Sequence, residues 1–189
     1  MTNKEMNYCD IIEINTPRLV LRKLRISDAE AFYEFASDKR VSVYMNWHTH
    51  ATVLDSENSI RASVNAYEKG KYYRWGIALK ENDTLIGIIQ LLAFDDEKNS
   101  CGFAYMLNRD YWGNGYGTEA VRSIISFAFE NMQVDVIEVD VFSENVASSK
   151  VLKRCGMIYV KTIDDKYEKN GVLHDADRYV MTRRTFLGG

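Results

Sequence analysis

Proline is nearly absent: the 189-residue chain has one, Pro17. There is no Ser- or Gly-rich linker, no low-complexity segment and no internal repeat, so nothing marks a domain boundary and one domain over residues 1–189 is expected. Cysteine is scarce as well. Cys9, Cys101 and Cys155 are odd in number, widely spaced and part of no C-x-x-C pair. That excludes a disulfide framework and points to reduced thiols in a cytoplasmic protein. No apolar run approaches the ~20 residues that cross a bilayer, and the N-terminus lacks the basic and then apolar regions of a signal peptide. Neither sign of charge is in large excess: 24 Lys and Arg face 27 Asp and Glu, a formal net charge of -3. A pI near 5.7 supplies no global basic field for nucleic acid. A soluble cytoplasmic protein is expected, with no membrane or nucleic-acid partner, and any anionic ligand must be held by a local site.

What is present is an ordinary globular composition, 46% hydrophobic and 27% charged, in a chain long enough to bury a core without disulfides or metals. The first ~14 residues are polar and predict a loose arm. Leu19 to Leu24 reads as a strand entered through Pro17, and Ser27 to Glu30 as a capping box for an amphipathic helix to about Asp38. Thr52 to Asp55 opens a second helix, ended by Gly70. Tyr73, Trp75, Ile77 and Leu79 alternate as a half-buried strand should, and Leu85 to Leu92 fits a strand covered on both faces. With Cys101 to Leu107 they make an antiparallel meander. A long helix starting near Gly115, a strand around Ile137–Val141 and a helix from about Asn145 to Cys155 come next. Two last strands, Met157–Ile163 and Leu173–Met181, are joined around Asn170-Gly171, a strong hairpin signal. The order β-α-α-β-β-β-α-β-α-β-β predicts an α/β (α+β) sandwich, a mixed sheet with helices on both faces.

The segment richest in chemistry is Tyr111-Trp112-Gly113-Asn114-Gly115-Tyr116-Gly117-Thr118-Glu119-Ala120, between a strand and the longest helix. Glycines on alternate positions permit positive φ and close approach of a ligand. Successive amides can form an anion-binding nest, to which a helix N-terminus adds its unpaired N–H groups. Such a turn suits a pyrophosphate; the same glycines would also serve a plain flexible strand-to-helix turn. Without a G-K-S/T ending it is not an NTPase phosphate loop, and the preceding meander argues against a dinucleotide fold.

The stretch resembles the acetyl-CoA pyrophosphate loop of GNAT N-acetyltransferases, Q/R-x-x-G-x-G/A, with Gly115 and Gly117 at the small positions. Trp112 in place of Q/R resembles the ribosomal-protein (Rim-type) N-terminal acetyltransferase branch, Y-W-G-x-G-x-A/G-T-E-A. Thr16-Pro17-Arg18-Leu19-Val20-Leu21-Arg22 resembles the opening T-x-R-L-x-L-R of that branch. Asn145 to Ser148 with Val151 to Met157 resembles its N-x-x-S-x-x-V/L-L-x-x-x-G-F/M, and Asn170-Gly171 with His174-Asp175 its closing hairpin. The resemblance runs co-linearly over residues 16–183.

The resemblance implies a GNAT-type, mostly antiparallel sheet of about seven strands and acetyl-CoA as cosubstrate. It implies that the strands flanking the loop and long helix splay around the pantetheine arm. Met106, Leu107 and Asn108 would then border the thioester, with the Leu107 backbone N–H aimed at its carbonyl oxygen. Trp112, Gly113, Asn114, Gly115, Gly117 and Thr118 would hold the pyrophosphate and Asn145 the pantetheine, with Lys150, Lys153 or Arg154 at the nucleotide end. Ser148 is implied as the acid for the leaving thiolate, since the position of the tyrosine used elsewhere in the family is Leu152. The usual glutamate base has no counterpart, because Gly102 and Phe103 cannot titrate; Glu138, Asp140 and Asp175 are the alternatives. The acceptor is an amine: a protein N-terminus, a ribosomal protein's by the branch resemblance, or a polyamine, amino acid or aminoglycoside. A strongly acidic cleft would favour a cationic amine. A non-catalytic acetyl-CoA-binding regulator is the rival from another class, and a homodimer is expected from the many relatives that pair.

Several residues carry plainer readings. Glu119 is expected as a helix-dipole partner and not a base. His48 and His50, without a nearby acid or cysteine, read as surface-loop residues and not as zinc ligands, and no metal is expected. Trp47 lines the acceptor pocket or simply packs. His174 reads as a strand residue and Cys155 as an inert buried thiol.

Overall fold

Tyr73, Trp75, Ile77 and Leu79 do lie in a strand, but burial is not confined to their face: of Tyr73–Leu79 only Arg74 is less than fully buried. The intervening Gly76 and Ala78 are small because the other face is covered too. A Cβ added to Gly76 would come within 2.7 Å of the Leu85 side chain. The alternation therefore records a change in residue size and not a solvent face.

The computed structural model describes residues 10–45, 47–69 and 73–188. The strands are β1 (Ile14–Asn15), β2 (Leu19–Arg22), β3 (Tyr73–Leu79), β4 (Leu85–Asp95), β5 (Ser100–Leu107), β6 (Val136–Phe142), β7 (Ile158–Lys169) and β8 (Val172–Thr182). The helices are α1 (Ala29–Ala36), α2 (Lys39–Ser42), α3 (Val53–Glu68), α4 (Tyr116–Glu130), α5 (Val146–Arg154) and α6 (Arg183–Leu187). Among the described residues the mixed, mostly antiparallel sheet has eight strands where about seven were expected. The addition is β1, pairing Ile14 with Leu21 and Asn15 with Val20 at the inner end of the stretch expected as a loose arm. Residues 1–9 of that arm, with Cys9, lie outside the described residues, as does Gly70, which was expected to end the second helix.

The chain divides into two units. One, Tyr8–Leu91 with Ala104–Ile124, contains the hydrogen-bonded run β1-β2-β3-β4 and α1 to α3. Its core gathers Leu24, Phe32, Phe35, Ile60, Ile88 and Met106. Burying a side chain of this size contributes about 1.5–3 kcal/mol. Polar supports stand beside it. The buried Arg22 grips the buried Asp28 through two bonds of 2.9 Å and reaches Asp83 at 2.6 Å. Asp28 also accepts the Arg25 N–H at 2.7 Å, so Asp28, and not Ser27, shapes the entry to α1. α3 opens as expected, with Thr52 and Asp55 in a reciprocal capping box.

The other unit, Leu92–Phe103 with Ile125–Gly189, contains β6, β7 and β8. Antiparallel pairing is continuous from Val136↔Thr182 to Phe142↔Ala176, and β5 meets β6 in parallel at Ser100↔Val136 and Cys101↔Ile137. The β7–β8 turn has Asn170 at φ 53° and Gly171 at φ 77°, the paired left-handed residues of an Asn-Gly hairpin. Among the described residues, no helix is long and apolar enough to cross a membrane.

Candidate active site

Leu107 ends β5, and the chain just beyond it is held in place by short-range bonds. The Asn108 side chain accepts the Asp110 N–H at 3.1 Å, capping a single 3-10 turn over Arg109–Tyr111. The Trp112 indole N–H then turns back to the Leu107 carbonyl at 2.9 Å. Gly113 (φ 78°) and Gly115 (φ 83°) both adopt the left-handed conformation that glycine tolerates best, and α4 starts at Tyr116. The residues from Trp112 to Gly115 are exposed, and a Cβ on Gly113 would meet nothing within 4 Å. An exposed, doubly left-handed loop feeding a fifteen-residue helix has the backbone chemistry and the open space to receive a pyrophosphate.

The loop is also tied from the start of the chain. Glu119, in the first turn of α4, accepts the Thr16 hydroxyl at 2.7 Å, the Arg18 N–H at 2.9 Å and the Arg18 guanidinium at 2.7 Å. Arg18 in turn donates to the Asn114 carbonyl at 2.9 Å and lies over the Tyr116 ring. Burial works to raise the Glu119 pKa, but these donors from Thr16 and Arg18 hold it below the ordinary carboxylate value. Glu119 is thus more than a helix-dipole partner: it joins the first motif to the glycine loop, and it is poorly suited to take a proton.

Met106, Leu107 and Asn108 are all buried. The Asn108 N–H is committed to the Ile86 carbonyl of β4 at 2.7 Å. Backbone groups alternate sides along a strand, so the Leu107 N–H points away from β4. Strand β5 is pressed close here, since a Cβ on Gly87 would stand 2.3 Å from the Met106 carbonyl.

In the same unit, Met106 helps line a cavity of about 280 Å³. Met45, Trp47 and Ile88 give it an apolar wall, and Arg74, Gln90 and His50 supply polar groups. Trp47 lines this cavity and also packs, its ring 4.9 Å from that of His50. Asn46 lies outside the described residues. His48 is exposed, as expected. His50 is half-buried and not a plain loop residue: it stacks on Phe32 at 5.7 Å and shares a 2.8 Å hydrogen bond with Ser56. Burial holds its pKa below the ordinary histidine value, with Arg74 adding to the effect against the pull of Asp55.

Asn145, Ser148 and Lys150 belong to the other unit. Asn145 caps α5, its side-chain oxygen accepting the Ser148 N–H at 3.1 Å. Ser148 is half-buried and Lys150 exposed. Asp140 is engaged on both oxygens by Arg178 at 2.8 Å, Glu138 lies 3.7 Å from the same guanidinium, and Asp175 accepts the Asp165 N–H at 3.0 Å. His174 hydrogen-bonds Glu144 at 3.0 Å. Cys155 is half-buried where a buried thiol was expected, whereas burial pushes the Cys101 thiol up to about 12.

The sequence did not single out Arg74 or the link from Arg18 to Glu119. Arg18 stands in a quoted motif, so a signal was there; Arg74 is one basic residue in a strand and offers none.

Comparison with known proteins agrees with this geometry. The family model of the acetyltransferase (GNAT) domain matches residues 18–158. The chain is 30% identical over 173 residues to the uncharacterised N-acetyltransferase p20 of Bacillus licheniformis, covering 92% of this chain and 97% of p20. It is 25% identical over 170 residues to YoaA of Bacillus subtilis, covering 90% and 96% of the two chains. The crystal structure of a GNAT-family acetyltransferase from Bacillus anthracis superposes with a TM-score of 0.83 at 22% identity, over 92% of this chain and 99% of that one. The family match runs through both units and includes the glycine loop, Asn145 and Ser148, and the chain therefore belongs to the GNAT acetyltransferase family, N-acetyltransferases that draw their acetyl group from acetyl-CoA.

Proposed function

We propose that this enzyme acetylates the primary amine of a small molecule and works as one acetyltransferase domain. The observation that carries this reading is the cavity bounded by Met106, next to Leu107 and on the strand that leads into the glycine loop. A volume of about 280 Å³ suits a compact acceptor.

In this reading the amides of Gly113, Asn114, Gly115, Gly117 and Thr118 hold the pyrophosphate, and Trp112 braces them through Leu107. Met106, Leu107 and Asn108 border the thioester. Because the Asn108 N–H is spent on Ile86, Leu107 is the donor for the thioester oxygen. Asn145 binds the pantetheine, Lys150 meets the nucleotide end, and Ser148 protonates the departing thiolate. The neutral amine attacks the acetyl carbon, the C–N bond forms as the C–S bond breaks, and the ammonium proton leaves to a base or to water. Holding both reactants together supplies much of the rate, with effective molarities reaching ~10⁵ M or more. A second reading, acetylation of a protein N-terminus such as a ribosomal protein's, is favoured by the Tyr-Trp-Gly-Asn-Gly-Tyr-Gly-Thr-Glu-Ala run. Pairing of two copies would suit the exposed Ile158, Tyr159 and Val160 of β7.

The test is thiol release from acetyl-CoA with a panel of amino acids, polyamines, aminoglycosides and N-terminal peptides. Turnover confined to a small amine supports the reading, and turnover confined to peptides replaces it with the second. Ser148→Ala should lower kcat and leave acetyl-CoA affinity unchanged.

A further inference from the structure

Arg74 differs from the arginines of this protein that grip a carboxylate. Arg18, Arg22, Arg40, Arg61 and Arg178 each hold a carboxylate at 2.5–2.9 Å. Arg74, at the wall of the cavity, holds none among the described residues. Its Nη1 donates to the Ser59 and Ser63 hydroxyls at 3.3 and 3.2 Å, its guanidinium lies 5.5 Å from the Phe32 ring, and its buried Nε has no hydrogen-bond partner among the described residues. Two neutral hydroxyls and a ring face orient the group without neutralising it. A half-buried cation without a counter-charge is costly unless an anion completes it, and a guanidinium offers a carboxylate a planar fork.

The surroundings define the rest of the ligand. Arg74 pairs across β3–β4 with Gln90, a second polar group on the same wall. Met45, Trp47 and Ile88 form the apolar part, and Met106, the residue before Leu107, also lines the cavity. An unpaired positive charge here repels a polycation, the opposite of the acidic cleft such an acceptor needs.

We infer that Arg74 is the specificity residue of the acceptor site, binding the carboxylate of an amine that also bears an apolar or aromatic group, as an α-amino acid does. The inference rests on the acetyltransferase reading for the role of the amine, and not for binding of the carboxylate. One unit of positive charge matches one carboxylate, and the apolar wall takes the side group.

Calorimetric titration of the whole protein, with and without coenzyme A, by 3-phenylpropionate and by 3-phenylpropionamide tests the site without any turnover. A charge-assisted hydrogen bond implies that the acid binds about 10- to 100-fold more tightly than the amide. Arg74→Gln should abolish that preference and Arg74→Lys should retain part of it. Equal binding of acid and amide by the native protein, no binding of the acid, or a preference that survives Arg74→Gln overturns the inference. The native comparison needs no variant, so misfolding of Arg74→Gln does not remove the test. In acetyl transfer, the ratio of kcat/KM for phenylalanine to that for phenylalaninamide should fall by a similar factor in Arg74→Gln; comparing ratios cancels the difference in amine basicity. Acid-selective binding with no acetyl transfer to any amine would sink the acetyltransferase reading and leave the carboxylate site standing.

Discussion

Arg18 and Glu119 lie 101 residues apart in sequence and meet at 2.7 Å on the first turn of α4, where the Arg18 side chain also holds the Asn114 carbonyl. The pair sets the entry of the glycine loop into its helix. Glu119→Gln or Arg18→Ala should therefore weaken acetyl-CoA binding. Arg18 is half exposed, so the loss should be a few-fold to about tenfold, with a small drop in melting temperature. Calorimetric titration with acetyl-CoA measures it, and unchanged affinity in both variants would remove the pair from the loop's function.

The two left-handed glycines should respond unequally. Alanine at either position carries the ~1–2 kcal/mol penalty of a left-handed non-glycine residue. A Cβ on Gly115 also meets the Arg18 guanidinium at 3.3 Å, while one on Gly113 meets nothing within 4 Å. Gly115→Ala is expected to weaken acetyl-CoA binding more than Gly113→Ala. Equal effects would show that backbone conformation alone matters.

Stability should depend sharply on the Arg22–Asp28 pair, whose side chains are 4% and 8% exposed. Asp28→Ala strands a buried guanidinium and should cost about 3–5 kcal/mol, read as a lower urea midpoint. Arg25→Ala, breaking an exposed bond to the same Asp83, should cost under about 1 kcal/mol. A small effect of Asp28→Ala would mean that Asp83 suffices to compensate Arg22.

Acid should destabilise the fold in two windows. His50 has its pKa lowered in the folded state, so the unfolded chain binds its proton first and stability falls as pH drops below about 6.5. Asp38 and Glu119 are also lowered, Asp38 to about 2 by its hydrogen bonds from Arg40. Their contributions are complete at pH 7 and decline only below their unfolded values of about 3.8 and 4.5. Melting temperatures of the native protein and His50→Phe at pH 7, 5.5 and 4 separate the windows, because the variant should lose only the upper one. An unchanged upper window in His50→Phe would assign it to another group.

Local signals were the ones legible in the sequence. Asn170-Gly171 predicted its hairpin, Thr52–Asp55 its cap, and the glycines of Gly113–Gly117 the exposed turn before α4, because each depends on neighbours a few residues away. Asn145 carried a local signal of a second kind: asparagine is a strong helix cap, and its side chain caps α5. The alternation Tyr73-x-Trp75-x-Ile77-x-Leu79 gave the strand correctly. It could not reveal that both faces are covered, because burial depends on what packs above and below.

The sequence by itself determined the order of the longer elements, the glycine loop and the family, all written in short-range patterns and co-linear motifs; the short β1, α2 and α6 were not among them. Only the tertiary structure decided that the Thr16–Arg22 motif is bonded to the helix of the glycine loop, and that His50 is half-buried and stacks on Phe32. It also decided that Arg74 stands without a carboxylate, among the described residues, at the wall of a cavity. These depend on which distant segments meet, and a pairing across 101 residues leaves no periodicity to read.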